Sequence, residues 1–175
     1  MKRVQAGLWC VLAMPGLAGA AVVQSAADGF VIEHTYRVTA SPSAGWQVLL
    51  HPERWWPSEH TWSGSAANLS LVAEAGGCFC ERWSDGGTEH ARVIHVRTNQ
   101  LLRLDGALGP MQEMAVTGVL TVRLAPVDGG TEAKVTYRVS GDSSHRLGEL
   151  APVVDKVLGQ QFGGFAALAS KPVAQ

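Results

Sequence analysis

The chain has 175 residues, 46% hydrophobic and 17% charged, with a formal net charge of -1. That length fits one domain of ordinary size, and a chain this apolar and this weakly charged is not a disordered one. It has no basic surplus to concentrate it on phosphate backbones or anionic lipid, so nucleic acid is not an expected partner.

Met1-Lys2-Arg3 precedes an apolar run from Val4 to Ala21 that is broken by Gln5, Pro15 and Gly16. Positive residues followed by an apolar stretch form the layout of an export signal. Ala18-Gly19-Ala20 supplies small residues for a cut at 20/21, and Ser25-Ala26-Ala27 a second at 27/28. A membrane anchor fits less well, because the run is barely long enough to span a bilayer and contains Pro and Gly. Cys10 has no small-residue lipobox before it, so no lipid anchor is read. The expectation is a signal peptide over 1–27, a domain over 28–170, a short tail over 171–175, and a periplasmic or secreted protein without a membrane anchor after cleavage. Cleavage removes two of the 14 basic side chains and none of the 15 acidic ones, leaving a charge of about -3.

Phe30, Ile32, His34, Tyr36 and Val38 alternate with Val31, Glu33, Thr35, Arg37 and Thr39, which predicts a half-buried strand. Ser41 offers a capping oxygen and Pro42 suits a first helical position. Trp46, Leu49 and Leu50 make a short apolar stripe that Pro52 ends. From Pro52 to Trp62 three Trp crowd a Pro-bounded segment with no periodicity. Strand signals then recur over Leu69 to Glu74, Cys78 to Trp83, Glu89 to Arg97 and Leu101 to Asp105, followed by two long ones from Met114 to Leu124 and Ala133 to Val139. Gly76-Gly77, Asp85-Gly86-Gly87, Asp105-Gly106 and Asp128-Gly129-Gly130 separate them, and turns this short join only antiparallel neighbours. From Leu147 to Leu168 the apolar period changes to that of a helix, with Asp142, Ser143 or Ser144 as caps and with Pro152 requiring a start near Leu150 or a kink.

This order is α+β: a curved antiparallel sheet wrapped around a long C-terminal helix, with two short helices after the first strand. It resembles the helix-grip fold of the SRPBCC superfamily, the START and birch-pollen-allergen-like proteins, and within it the polyketide cyclase-like branch named after the heat-shock ATPase activator homologues. The likeness is carried by Trp55-Trp56-Pro57 with His60, by Gly76-Gly77-Cys78-Phe79-Cys80-Glu81, by Leu102-Arg103-Leu104 with Gly106 to Pro110, and by Leu150-Ala151-Pro152-Val153-Val154-Asp155 with Val157-Leu158. It covers roughly residues 29 to 169. The resemblance implies a cavity between sheet and helix and, in its various members, lipid or steroid carriage, polyketide cyclisation, hormone reception or a co-chaperone role. The export signal is a departure from the co-chaperone members.

The residues themselves point the same way. Trp55, Trp56 and Trp62 lie where a pocket mouth is built, and His60 sits among them as a polar group able to bind a ligand oxygen or move a proton. Phe79, Glu81 and Trp83 share one side of their strand. If that side faces inward, desolvation raises the pKa of Glu81 and suits it to acid or base work, while an ion pair with Arg92 or Arg103 is the structural alternative. Tyr137, Val154 and Leu158 complete the expected ligand-binding set, with His34 and Tyr137 read as satisfied polar groups of the core. Cys78 and Cys80 are read as two small buried side chains, since an extended strand holds their Cα atoms about 6.6 Å apart. No His stands at metal-ligand spacing from them, and no metal or cofactor is expected. Dinucleotide, phosphate-loop, zinc-protease and nucleophile-elbow motifs are all missing. The expected function is an exported binding protein for a small hydrophobic ligand. The alternatives are a cyclase- or dehydratase-like enzyme using the same cavity, with Glu81 or His60 as candidate catalytic groups, and a protein-interaction module built on the Trp loop.

Overall fold

The structure is a computed structural model that describes residues 21–171. Residues 1–20 of the expected signal peptide over 1–27, and 172–175 of the expected tail, lie outside the described residues. Eight strands form one antiparallel sheet: β1 (Ala21–Ala26), β2 (Gly29–Val38), β3 (Leu69–Leu71), β4 (Cys78–Trp83), β5 (Gly86–Arg97), β6 (Leu101–Asp105), β7 (Thr117–Val127) and β8 (Gly130–Ser140). Their order across the sheet is β1-β2-β8-β7-β6-β5-β4-β3. A helix α1 (Pro42–Leu49) follows β2, with short 3-10 turns behind it, and the helix α2 (Leu147–Ala169) ends the domain. This is the helix-grip architecture expected from the order of elements. Among the described residues no helix is long and apolar enough to cross a membrane.

Local chemistry accounts for most boundaries. The alternation in β2 buries Phe30, Ile32, His34, Tyr36 and Val38 against α2 and the core. Ser41 accepts a hydrogen bond from the Ala44 amide and Pro42 opens α1. Short turns keep β3 to β8 neighbours in space, and β2 then pairs with β8 along its full length. The sheet bends where β5 carries extra residues: Phe79 pairs with Ala91 but Cys80 with Glu89, leaving His90 bulged, and a second shift falls between Val93 and His95. Bulges of this kind kink a strand and increase its twist.

Five local expectations are corrected. The strand β1 was not foreseen, because its sequence merges with the apolar run before it. Leu69 to Glu74 pairs only as far as Leu71, since Gly76 and Gly77 turn the chain and bond to Val93 and Glu74. Met114 belongs to a 3-10 turn (Gly109–Met114), and Ala115, with φ of 52°, separates it from β7. The helix α2 begins at Leu147, where its apolar period begins, but without the side-chain cap expected from Asp142, Ser143 or Ser144. Asp142 instead caps the turn before it, and the Leu147 amide bonds to the Ala27 carbonyl. Pro152 cannot donate to the Gly148 carbonyl four residues back, and the Ser25 hydroxyl does so at 3.2 Å. Finally, Cys78 and Cys80 form a disulfide. Their Cα atoms lie 5.3 Å apart, closer than in a straight strand and within the span a bridge requires.

The C-terminal half of α2 sits on an aromatic cluster. Trp55 lies 5.5 Å from Phe162 and 5.8 Å from Phe165, ring centre to ring centre. Its indole N–H donates to the Val48 carbonyl at 2.9 Å, so a large apolar group is buried with its polar atom satisfied. Helix and loop approach so closely that a Cβ at Gly164 would collide with the Trp55 carbonyl oxygen, whereas one at Gly163 would meet nothing within 4 Å. These neighbouring positions should therefore respond oppositely to the same change. Gly163→Ala should stabilise the protein by about 1 kcal/mol through helix propensity. Gly164→Ala should destabilise it by about 2 kcal/mol by forcing the helix off Trp55. Urea titration of the two variants measures both signs.

Candidate ligand cavity

The N-terminal half of α2 covers empty space. A cavity of about 480 Å³ opens between this helix, the Trp loop, the 3-10 turn after β6 and the sheet. Its helix wall is Leu150, Val153, Val154, Val157, Leu158 and Gln161. Leu108, Pro110, Met111 and Met114 form the opposite side, and Trp56, Glu59, His60, Thr61 and Trp62 close one end. Tyr137 and His90 reach it from β8 and β5. Nearly all of this surface is hydrocarbon, and the volume lies in the range of small-molecule sites.

Six of the ten residues expected from the sequence meet here: Trp56, His60, Trp62, Tyr137, Val154 and Leu158. The other four do not line the space. Trp55 and Phe79 are core, Phe79 standing edge-on to Trp56 at 5.2 Å. Trp83 folds over Gly86 in its own hairpin, where a Cβ would lie 2.7 Å from the indole. Glu81 is completely buried behind the cavity wall. The reading missed His90, because a bulge turns it inward against the alternation of its strand, and it missed the 3-10 turn after β6, whose side chains have no period. Gln161 was legible as a polar residue inside the apolar stripe of α2.

Glu81 has neither partner foreseen for it. Arg92 pairs with Glu89 at 2.7 Å, and Arg103 donates to the Thr121 hydroxyl. The carboxylate instead accepts hydrogen bonds from the amides of Trp62 and Ser63 and lies 3.0 Å from His90 Nε2. Burial pushes the Glu81 carboxyl up, but the donors from Ser63, Trp62 and His90 outweigh it and hold the group below the usual carboxylate range. This reverses the raised value expected from the sequence. Burial likewise pulls the His90 imidazole down, more than Glu81 raises it. At neutral pH the pair is a carboxylate and a neutral imidazole whose Nε2–H donates. Its work is to pin the loop that carries Trp62 over the cavity.

Tyr137 is wholly buried, and its hydroxyl donates to the Gly106 carbonyl at 3.1 Å and accepts from the Leu108 amide at 2.9 Å. Burial pushes this phenol far up, so it stays neutral. It fits against the sheet only because residue 118 is Gly, where a Cβ would lie 2.6 Å from the hydroxyl. His34 is remote from the cavity. Its Nδ1 meets the Tyr36 hydroxyl at 3.2 Å, and its Nε2 lies 2.9 Å from Asp155 without hydrogen-bond alignment. Burial and the nearby Asp155 push the Tyr36 phenol up to about 12.

The Glu81–His90 pair sets an acid limit on the fold. Unfolded His90 takes up a proton near its ordinary value of 6.5, whereas folded His90 resists until lower pH, so stability falls as the pH drops below 6.5. The contribution of Glu81 is present above its ordinary value of 4.5 and is lost as the pH falls through its lower folded value. Thermal midpoints should hold level above neutrality and decline in mild acid, and His90→Gln should reduce that mild-acid decline. Glu81→Gln should cost about 2 kcal/mol at neutral pH, because two loop amides and an imidazole lose a charged acceptor.

No protein-family description and no curated protein matches the chain by sequence. Solved structures match by shape. Protein CV1439 from Chromobacterium violaceum superposes with a TM-score of 0.57 at 17% identity, over 81% of this chain and 98% of that one. The Aha1 dimer from Colwellia psychrerythraea gives 0.56 at 18% identity, over 80% and 96%. The di-domain ARO/CYC StfQ from the steffimycin biosynthetic pathway gives 0.54 at 11% identity, over 82% of this chain and 51% of that one. At such identities a likeness speaks for architecture alone, and the architecture shared is the helix grip, a curved antiparallel sheet closed by a long C-terminal helix.

Proposed function

We propose that this protein binds a small hydrophobic molecule in the cavity under α2 and works outside the cytoplasm. The observation that carries the reading is the cavity itself, about 480 Å³ enclosed by Trp, Leu, Val, Met and Pro side chains. Space lined this way holds ordered water poorly and gains from an apolar guest, at about 25 cal/mol for each Å² removed from water. Relatives in shape include an ARO/CYC protein, which accords with an apolar guest in this fold. Binding is favoured over turnover because Glu81, the carboxylate expected to move a proton, does not line the cavity and is occupied by the loop it holds. Trp62, about half exposed at the cavity mouth, serves entry of the guest in this reading.

Native mass spectrometry of the purified protein should reveal a bound apolar species. Val154→Trp should abolish it and weaken uptake of an apolar fluorophore by about ten-fold or more with little change in melting temperature, because the new ring grows into empty space. Undiminished uptake by Val154→Trp would remove the cavity from the function.

Export follows from the basic and apolar layout at the N-terminus, and the fold favours one of its two cleavage positions. A cut at 27/28 would delete β1, its pairing with β2, and the bonds that Ser25 and Ala27 make to the start of α2. A cut at 20/21 keeps all of them. N-terminal sequencing of the protein secreted from a bacterial host should begin at Ala21, and a start at Asp28 would overturn this assignment.

A further inference from the structure

Resting on the cavity reading, the polar atoms of the wall narrow the class of guest. Most of them are already committed. The Tyr137 hydroxyl is used by Gly106 and Leu108, and His90 Nε2 by Glu81. Two are not. Gln161 is only 5% exposed, stands in the middle of the apolar stripe of α2, and its Oε1 is buried without a partner. His60 Nδ1 is likewise buried without a partner. A buried polar atom left unpaired costs about 1 to 3 kcal/mol, which a ligand group of the right kind recovers. The terminal torsion of Gln is broad, so the amide turns toward a guest at little cost.

Charge restricts that group further. Among the described residues, no side chain lining the cavity is Lys or Arg, and the one acidic side chain on it is Glu59. Glu81 adds a second negative charge immediately behind His90 and Trp62. A carboxylate or phosphate drawn into this space would lose its hydration with no cation to replace it and would face the unpaired oxygen of Gln161. A hydroxyl donates to that oxygen and, with its own lone pairs, accepts from His60 Nδ1 in the tautomer that carries the proton there.

We propose that the cavity selects an uncharged hydrophobic molecule bearing a hydroxyl group, which donates to Gln161 Oε1 and is seated beside His60, and that it rejects the corresponding carboxylate. Three probes of one shape separate the terms: naphthalene, 2-naphthol and 2-naphthoate, titrated calorimetrically at neutral pH into the whole protein freed of any co-purified ligand. The alcohol should bind about ten-fold tighter than the hydrocarbon, and the carboxylate more weakly than either. Gln161→Leu should abolish the preference for 2-naphthol while keeping naphthalene affinity, and Gln161→Met should do the same if the first variant does not fold. Failure of all three probes to bind would overturn the cavity reading itself. Naphthalene binding as tightly as 2-naphthol, 2-naphthoate binding as tightly as either, or a preference that survives removal of the amide would overturn the hydroxyl assignment and leave the cavity reading standing.

Discussion

One helix is asked to do two incompatible things, and most of the molecule is arranged so that it can. The C-terminal half of α2 packs as tightly as its backbone permits, with Phe162 and Phe165 on Trp55 and with Gly164 against a loop carbonyl. Its N-terminal half covers a space that is not filled. An apolar hollow forfeits dispersion contacts along its whole lining, so the surrounding walls must be held apart by groups with their own reasons to stay in place. The aromatic seat supplies that at one end. At the other, Leu147 and Gly148 bond to the loop and strand around β1.

The remaining walls are held by polar atoms facing away from the hollow. Glu81 fastens the Trp62 loop with two backbone amides, and His90 fastens Glu81. Tyr137 fastens the chain after β6 through Gly106 and Leu108. In each case the polar group is satisfied by the protein, and the hydrocarbon is turned toward the cavity. A buried carboxylate is then a fastener, with its pKa lowered by the donors it holds. The same residue in an open, donor-poor pocket would have had its pKa raised and been available for proton transfer.

The contrast with Gln161 and His60 gives the site its direction. Glu81, Tyr137 and His90 Nε2 have protein partners, whereas the buried Gln161 Oε1 and His60 Nδ1 do not. Unpaired atoms are uncommon in buried positions because they are costly, so two of them on residues lining one apolar cavity mark where a guest's polar group gains most.

Much of the architecture was present in local pattern. Period-two alternation marked β2, β4, β6, β7 and β8, Ser41-Pro42 marked the start of α1, and the three-and-four stripe marked α2, since each depends on neighbours a few residues away. The class of the site was legible too, in the Trp-rich loop and in a helix with no other surface to cover. Several of its members were not. Glu81 pointed inward as its alternation implied, but which atoms met it was set by a loop eighteen residues back and a bulge on the neighbouring strand. The same bulge turned His90 inward, and the close approach of Cys78 and Cys80 was equally absent from the pattern of their strand. Periodicity reports which side of an element is apolar. Which side chains finally touch, and whether the space between two apolar faces is filled or left open, depends on register, bulges and the fit of distant surfaces, and those exist only once the chain has folded.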